Sequence, residues 1–342
     1  MRLLNCLYVL EHGTRISSHH GALMVTKRDG SKSRVPLEAI EAMVLLGAAQ
    51  VTSEAIEACV NRKVRVAALR RSGKVRFVIG GPTSGNVYLR VAQQQVAQDP
   101  PRRAAIARWV VAGKLQNYRK LLRRWSWDAS LLARVHLTDL EDRIGLRIGR
   151  LEGQEDGDRI RGIEGDGTRL YFKGLAHHLD AHGSEFPFLG RQRRPPRDPV
   201  NAMLGFVYGL VLTEVVGACE AAGLDPQIGF LHGVRPGRPS LALDLLEEFR
   251  PALADRFVAG LFTRRMLRVH DFVFTAGGAC YLTDEARRRV IEAYEAIKSE
   301  SVVHRLLGRE VIRATLPSLQ AILMARHLRG DLPAYPPFVL AS

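Results

Sequence analysis

From Gly229 to Arg250 the sequence reads Gly-Phe-Leu-His232-Gly-Val-Arg235-Pro-Gly-Arg238-Pro-Ser240-Leu-Ala-Leu-Asp244-Leu-Leu-Glu247-Glu248-Phe-Arg250, so an imidazole, a basic loop and several carboxylates lie close together. A neutral imidazole with carboxylate oxygens is a donor set suited to Mn²⁺ or Mg²⁺, and the adjacent arginines suit a phosphate. Ser240 is placed to cap a helix, and at 100° per residue Asp244, Glu247 and Glu248 share an arc of about 100°. Ala242, Leu245, Leu246 and Phe249 occupy the other side, so the helix can dock on a core while presenting acids from a fixed scaffold. The plain alternative is a solvated acidic face with an unremarkable histidine nearby.

A third ligand must come from elsewhere, and Glu164 is the upstream candidate in Arg159-Ile-Arg-Gly-Ile-Glu164-Gly-Asp-Gly-Thr-Arg-Leu. Gly162, Gly165 and Gly167 leave room for a close approach to its carboxylate, and the spacing of Leu170, Phe172 and Leu175 predicts a helix after it. The alternative is an acid in a surface turn. His178 and His182, four apart with Asp180 between them, form a competing metal site, although Gly183 and Ser184 point to a solvated helix end. Cys6, Cys59, Cys219 and Cys280 are widely separated and form no CxxC pair, which argues against structural zinc and against a disulfide framework.

Four blocks occurring in order carry a family resemblance: Gly-Ile-Glu164-Gly; Arg193-Arg194-Pro-Pro-Arg197-Asp-Pro-Val-Asn201-Ala-Met-Leu; Gly223-Leu-Asp-Pro-Gln-Ile-Gly-Phe-Leu-His232; and Gly-Arg238-Pro-Ser-Leu-Ala-Leu-Asp244-Leu-Leu-Glu247-Glu-Phe-Arg-Pro. The chain resembles the CRISPR-associated adaptation endonuclease and integrase family along most of its length. Its ending, Leu328-Arg-Gly-Asp-Leu-Pro-Ala-Tyr-Pro-Pro-Phe, resembles the branch found in type I-C loci. The resemblance implies a divalent-metal DNA endonuclease and integrase with Glu164, His232 and Glu247 as ligands, and with Asp244 as an additional acid behind them. It also implies a homodimer formed through the N-terminal part, with two such dimers flanking a dimer of a second small adaptation protein in a heterohexamer, and a precursor-trimming nuclease as a further partner. One departure is visible: Asp166-Gly167-Thr168-Arg169 stands where the family usually has small alanine-like residues, which bears on where the local helix starts.

Charge supports a polyanionic partner independently. Lys and Arg number 50 against 35 Asp and Glu, a net charge of +15, and such a surface favours salt-dependent, sequence-tolerant contact with a phosphate backbone. Basic residues concentrate at 102–124, 191–197 and 287–289. Trp109, Tyr118 and Trp125 fall in or beside the first cluster at helical spacing, which favours core packing over base stacking. Arg193, Arg194, Arg197, Arg235 and Arg238 are the candidate phosphate contacts, with plain loop solvation as the alternative.

The elements that must position these residues divide the chain. Up to Gly81 the pattern is short strands at 3–10, 22–27, 34–37, 43–46, 64–69 and 74–79, with a hairpin turn at Asp29-Gly30 and one helix over 52–62. Residues 82–86 read as a linker, and 87–342 as a helical catalytic domain. The expected class is α+β: a small, mostly β N-terminal domain followed by a larger all-α domain. Asp198 and Pro199 open a helix running to Gly223 that is apolar almost all round. Asn201, Tyr208, Thr213 and Glu214 interrupt it, so it reads as a buried core helix rather than a membrane span. The N-terminus reads as a strand rather than a signal peptide, which points to the cytoplasm. Neither GxxxxGK[ST] nor a dinucleotide fingerprint is present, so no nucleotide cofactor is expected. Two other functions remain open: a metal-dependent nuclease of branched DNA in repair, which would share the ligands, and a non-catalytic DNA-bridging protein.

Overall fold

The computed structural model describes residues 5–81, 87–183, 185–192 and 195–341. The expected linker, 82–86, lies outside the described residues, as do Arg193 and Arg194. In the strand-rich N-terminal region, β1 (Cys6–Val9), β5 (Ala42–Leu45), β7 (Arg65–Leu69) and β8 (Val75–Ile79) form one sheet in that order. Its first three strands are parallel and β8 is antiparallel to β7. A second sheet has the order β4 (Lys32–Pro36), β3 (Ala22–Thr26), β2 (Arg15–His19), β6 (Gln50–Val51).

Side-chain alternation decides what each face of the first sheet covers. Met43 and Leu45 join Ile16, Leu23, Val66 and Ala68, together with Ala55 and Cys59 of α1 (Ser53–Asn61), in a small N-terminal core. Val44, Leu46 and Leu69 point the other way, into the large core of the helical region. This is the period-two arrangement of a strand buried on both faces. Asp29-Gly30 does make the turn between β3 and β4, with Gly30 at φ +83° and the Asp29 carboxylate accepting from the Ser31 N–H at 2.9 Å. The sequence pattern missed β2 and β6. Of Arg15-Ile-Ser-Ser-His19 only Ile16 is buried, and β6 is two residues long, so neither carries a hydrophobic rhythm.

The helical region comprises α2 (Val87–Gln98), α3 (Pro100–Trp127), α4 (Leu131–Gly149), α5 (Gly157–Ala181), α6 (Pro199–Ala221), α7 (Ser240–Phe249), α8 (Arg256–Thr263), α9 (Asp284–Lys298) and α10 (Leu316–Leu328). Helix α3 is capped by the Asp99 carboxylate and packs on α4, α5 and α7, so it is the strut against which the other helices are set. Asp198 caps α6 with Pro199 as its first residue. Helix α6 is long and apolar enough to cross a bilayer, yet it is mostly buried within the protein core. Two short hairpins also sit in this region, β9 (Phe272–Phe274) with β10 (Cys280–Leu282) and β11 (Ser301–His304) with β12 (Arg309–Ile312). Strands this short leave no readable period in a sequence.

The N-terminal region locks onto α6 by backbone contact. A Cβ placed on Gly209 would lie 1.9 Å from the Gly73 carbonyl oxygen, and Gly73, at φ +78°, turns the chain between β7 and β8 against Phe206. Arg65 reinforces the contact by donating to the Thr213 carbonyl of α6 at 3.2 Å, and the Tyr8 hydroxyl ties the same region to α9 by donating to Glu295 at 2.7 Å. Gly209→Ala should therefore destabilise the protein by about 1–3 kcal/mol through overpacking. That outweighs a helix-propensity gain of about 1 kcal/mol. Gly165→Ala, where the added methyl meets open space, should show only the gain. Urea unfolding of both variants checks this, and a Gly209→Ala protein at least as stable as the parent would contradict the close packing.

Candidate active site

Glu164 lies in the interior of α5 rather than ahead of a helix. Helix α5 begins at Gly157, seven residues earlier, because the Asp156 carboxylate accepts from the N–H groups of Asp158 and Arg159 and starts it there. The unusual Asp166-Gly167-Thr168-Arg169 segment fits within the helix. Asp166 pairs with Arg147 at 2.8 Å and with Arg169 at 2.6 Å, and the Thr168 hydroxyl donates to Glu164 at 2.9 Å. Gly162 and Gly165 face open space, but a Cβ on Gly167 would meet Leu115 at 2.5 Å, so this glycine lets α3 approach α5 rather than admitting a ligand.

Ser240 is the first residue of α7 and not its cap. Pro239 takes the cap position, and the Ser240 hydroxyl donates to the Gly233 carbonyl at 3.0 Å. The acidic arc of α7 is likewise no solvated face, for Asp244, Glu247 and Glu248 are all buried. Each has a different environment. Asp244 accepts from the backbone N–H groups of Phe230 (2.6 Å), Leu231 (3.0 Å) and His232 (2.9 Å), and its Oδ1 lies 2.7 Å from His232 Nδ1. Because a carboxylate only accepts, that contact puts the proton on Nδ1 and leaves Nε2 with a free lone pair. Nε2 stands 3.8 Å from Glu247. Gly229 permits the approach, since a Cβ there would lie 2.8 Å from the Asp244 carboxylate.

Glu247 faces the same space as Glu164, and Lys114 of α3 joins them. The Lys114 ammonium, fully buried, pairs with Glu164 and lies 2.6 Å from Glu247 Oε2. Arg250, the first residue of a π-helical turn over Arg250–Asp255, stands 3.4 Å from the other Glu247 oxygen. Burial alone would raise the Glu247 carboxyl, but Arg250, Lys114 and His232 hold it well below the usual carboxylate range. π-turns of this kind recur at functional sites. The Glu164 and His232 side chains are 22% and 21% exposed, so the cluster opens to solvent on their side. Glu248 turns away, accepting from the Tyr335 hydroxyl (2.6 Å), the Phe338 N–H (2.6 Å) and Gln320 (3.0 Å) of the C-terminal tail and α10.

The donors fit a hard divalent ion. Glu247 links the other two donors, with Glu164 reached through Lys114 and His232 Nε2 3.8 Å from Oε1, and its Oε2 is buried without a well-aligned hydrogen bond. Among the described residues no three His, Cys, Asp or Glu side chains close around one point, and Lys114 stands where Glu164 and Glu247 would meet. Lys114 carried no signal in the sequence beyond its place in a basic helix. The His178/His182 alternative does not assemble. His178 stacks flat on Trp125 at 4.4 Å, burial and its neighbour His182 push it down to about 3, and His182 Nδ1 is taken by the His178 carbonyl at 2.8 Å. All four cysteines are unpaired.

The candidate phosphate residues separate likewise. Arg197 and Arg235 are exposed and Arg238 is half-buried on the loop before α7. The 287–289 cluster is taken up in ion pairs within the chain: Arg287 is buried against Asp284 at 3.0 Å, while the exposed Arg288 pairs with Glu11 at 2.9 Å and the exposed Arg289 with Asp271 at 2.5 Å. Tyr118 and Trp125 are core residues stacked around Tyr171, whereas Trp109 is exposed. An open groove of about 470 Å³, lined by Arg147, Arg150, Arg159 and Gly162, lies on another face of α5 and does not include Glu164.

The class is therefore an α+β protein whose helical region brings Glu164 of α5, Glu247 of α7 and His232 of the loop between α6 and α7 into one partly exposed cluster. Residues 7–296 match the family described as CRISPR associated protein Cas1, and the chain belongs to that family. It is similar to "CRISPR-associated endonuclease Cas1 2" of Rhodospirillum rubrum, 41% identical over 98% of both chains. Among solved structures it resembles "Casposase bound to integration product", with a TM-score of 0.82, 22% identity and coverage of 97% of this chain and 93% of that one. It also resembles a chain of a "Cas6-RT-Cas1–Cas2 complex", with a TM-score of 0.83, 20% identity and coverage of 99% of this chain and 36% of that one.

Burial pushes the Glu248 carboxyl up to about 8, against Tyr335, Phe338 and Gln320, which favour its ionised form. An unfolded Glu titrates near roughly 4.3. Between those values the native state keeps a proton that the unfolded chain has lost, so this residue's contribution to stability falls as pH rises. Comparing the parent with Glu248→Gln by urea unfolding should show the parent losing ground between roughly pH 5 and pH 8 and levelling above. A difference that is flat or grows with pH would mean that Glu248 is ionised in the folded protein.

Proposed function

We propose that this chain is a divalent-metal DNA endonuclease and integrase that joins the 3′-hydroxyls of spacer DNA to a CRISPR repeat. The observation that carries the reading is that the buried Lys114 ammonium bridges Glu164 and Glu247 while the other Glu247 oxygen stands 3.8 Å from His232 Nε2, in a cluster open to solvent on the Glu164 and His232 side. Glu164, His232 and Glu247 would hold Mg²⁺ or Mn²⁺. The ion would supply Lewis acidity at a phosphoryl oxygen and stabilise charge on the attacking or leaving oxygen.

The chain's own residues do the rest. Asp244 fixes the His232 ring and its tautomer through Nδ1, so Nε2 stays aimed at the site. Arg235 and Arg238, on the loop leading into α7, would seat the target phosphate, and Arg193, Arg194 and Arg197 are further candidate phosphate contacts from the sequence. In strand transfer the spacer 3′-oxygen forms a new bond to phosphorus, the repeat's own 3′-oxygen leaves, and the proton lost by the first is gained by the second. One phosphodiester replaces another, so no nucleotide cofactor is consumed. With water as the attacking group, the same centre cleaves.

Partners follow the same reading. The relative from Rhodospirillum rubrum is named an endonuclease, and the structural neighbours are a casposase on an integration product and a complex containing Cas2. These support DNA and a Cas2-like protein as partners of this chain. We place the homodimer contact on the N-terminal sheets, where β4 is an exposed edge strand. Two dimers would flank one Cas2-like dimer in a cytoplasmic heterohexamer, supplied by a precursor-trimming nuclease. The ending at 328–338 supports placement in the type I-C branch.

The test is a strand-transfer assay with labelled duplex, a repeat-containing target, Mn²⁺ or Mg²⁺ and the Cas2-like partner. Glu164→Ala, His232→Ala and Glu247→Ala should each abolish joining and cutting while DNA binding persists, and Asp244→Ala should cost about 10- to 100-fold. Full activity in any of the first three would overturn the site. Binding to duplex DNA should weaken steeply with salt, and replacing Arg193, Arg194 and Arg197 together by Ala should flatten the log–log salt slope by about two to three units. An unchanged slope would mean that these arginines only solvate their loop.

A further inference from the structure

The ammonium of Lys114 touches both carboxylates assigned to the ion, yet the proposed ligand set gives it no role. It is fully buried in the middle of α3, and it pairs with Glu164 of α5 and Glu247 of α7, the two carboxylates assigned to the ion. A buried lysine is costly unless it is paired. Here the pairing is to acids that would themselves be costly to bury: Glu247 is only 3% exposed, and its other oxygen faces Arg250. The Lys114 ammonium also lies over the ring of Tyr118, 5.5 Å from its centroid. The geometry is that of a cation binding site already holding a cation.

We propose that Lys114 is a built-in counter-ion for the empty site: its ammonium holds Glu164 and Glu247 together and competes with the divalent ion for their oxygens. Three consequences follow from electrostatics. The site stays assembled without metal, because α3, α5 and α7 remain tied through one charge. An ion entering from the exposed side gains carboxylate oxygens only as the ammonium releases them, which weakens its binding. The released ammonium, still on the rigid α3, stands next to the ion, where a substrate phosphate would supply its new partner. Lys114 is thus a positioning residue that couples metal occupancy to the arrangement of the two carboxylates.

The inference rests on the metal site proposed above, and the experiment separates the two. Mn²⁺ binding to the full-length protein is measured by isothermal titration calorimetry, and thermal unfolding is followed in EDTA and in excess Mn²⁺. The proteins are the parent, Lys114→Met, Lys114→Gln, Glu164→Ala and His232→Ala. Losing competition from a charge-assisted hydrogen bond should tighten Mn²⁺ binding by about 10- to 100-fold in Lys114→Met. Lys114→Gln, which keeps a donor between the acids without the charge, should shift in the same direction by less. Both should melt lower than the parent in EDTA and recover most of the loss in Mn²⁺. A lysine variant that folds only with Mn²⁺ present also supports the proposal, because the ion has then replaced the ammonium. Unchanged or weaker Mn²⁺ binding in the lysine variants, or failure to fold even in excess Mn²⁺, overturns it and leaves the metal site standing. If parent, Glu164→Ala and His232→Ala bind Mn²⁺ alike, the metal-site reading itself fails.

Discussion

Burying three carboxylates within five residues of one short helix is the constraint around which this protein is organised. Helix α7 cannot sit in the core unless Asp244, Glu247 and Glu248 each find partners, and each finds them in a different part of the chain. The loop 229–233 wraps Asp244 with three N–H groups and the His232 ring. Helices α3 and α5 bring Lys114 and Glu164 to Glu247. The C-terminal tail and α10 close over Glu248 with Tyr335, Phe338 and Gln320. Satisfying the helix thus assembles the site, since the loop that caps one acid carries the imidazole that faces the next.

Rigidity at the site has a visible source. Helix α3 is both strut and contributor: Asn117, one turn beyond Lys114, donates to the carbonyls of Glu248 and Phe338 and accepts from the Leu340 N–H, tying α7 and the tail to the same helix. Close helix approach is secured where Gly167 meets Leu115 and Gly174 meets Leu122. A two-carboxylate, one-imidazole centre needs this support, because ligands displaced by a fraction of an ångström lose both affinity and chemistry.

Much of this was legible from residue types alone, and the failures share a cause. His232, Asp244 and Glu247 were readable because they fall close together beside a Gly/Pro-rich turn, and Asp198 with Pro199 announced the start of α6. Periodicity could show that Asp244, Glu247 and Glu248 share an arc, but not that the arc is buried against three partners, since that depends on α3, α5 and a tail about 90 residues away in sequence. Lys114 was invisible for the same reason: in a run rich in arginine and lysine, nothing local marks one amine as buried. The glycines around Glu164 suggested a loop because glycine is a poor helix former, and packing against α3 overrode that preference. Of the basic clusters, 287–289 turned out to be paired with Asp284, Glu11 and Asp271 of the same chain, a distinction charge counting cannot make.

The central claim is that Glu164, His232 and Glu247 form one divalent-cation site with Asp244 behind it. Anomalous diffraction from crystals grown with Mn²⁺ addresses this directly. The account predicts a single strong manganese peak within coordination distance of the Glu164 and Glu247 carboxylates and of His232 Nε2, with Asp244 still bonded to Nδ1 and outside the coordination sphere. No peak there, or a peak between His178 and His182 instead, would contradict it.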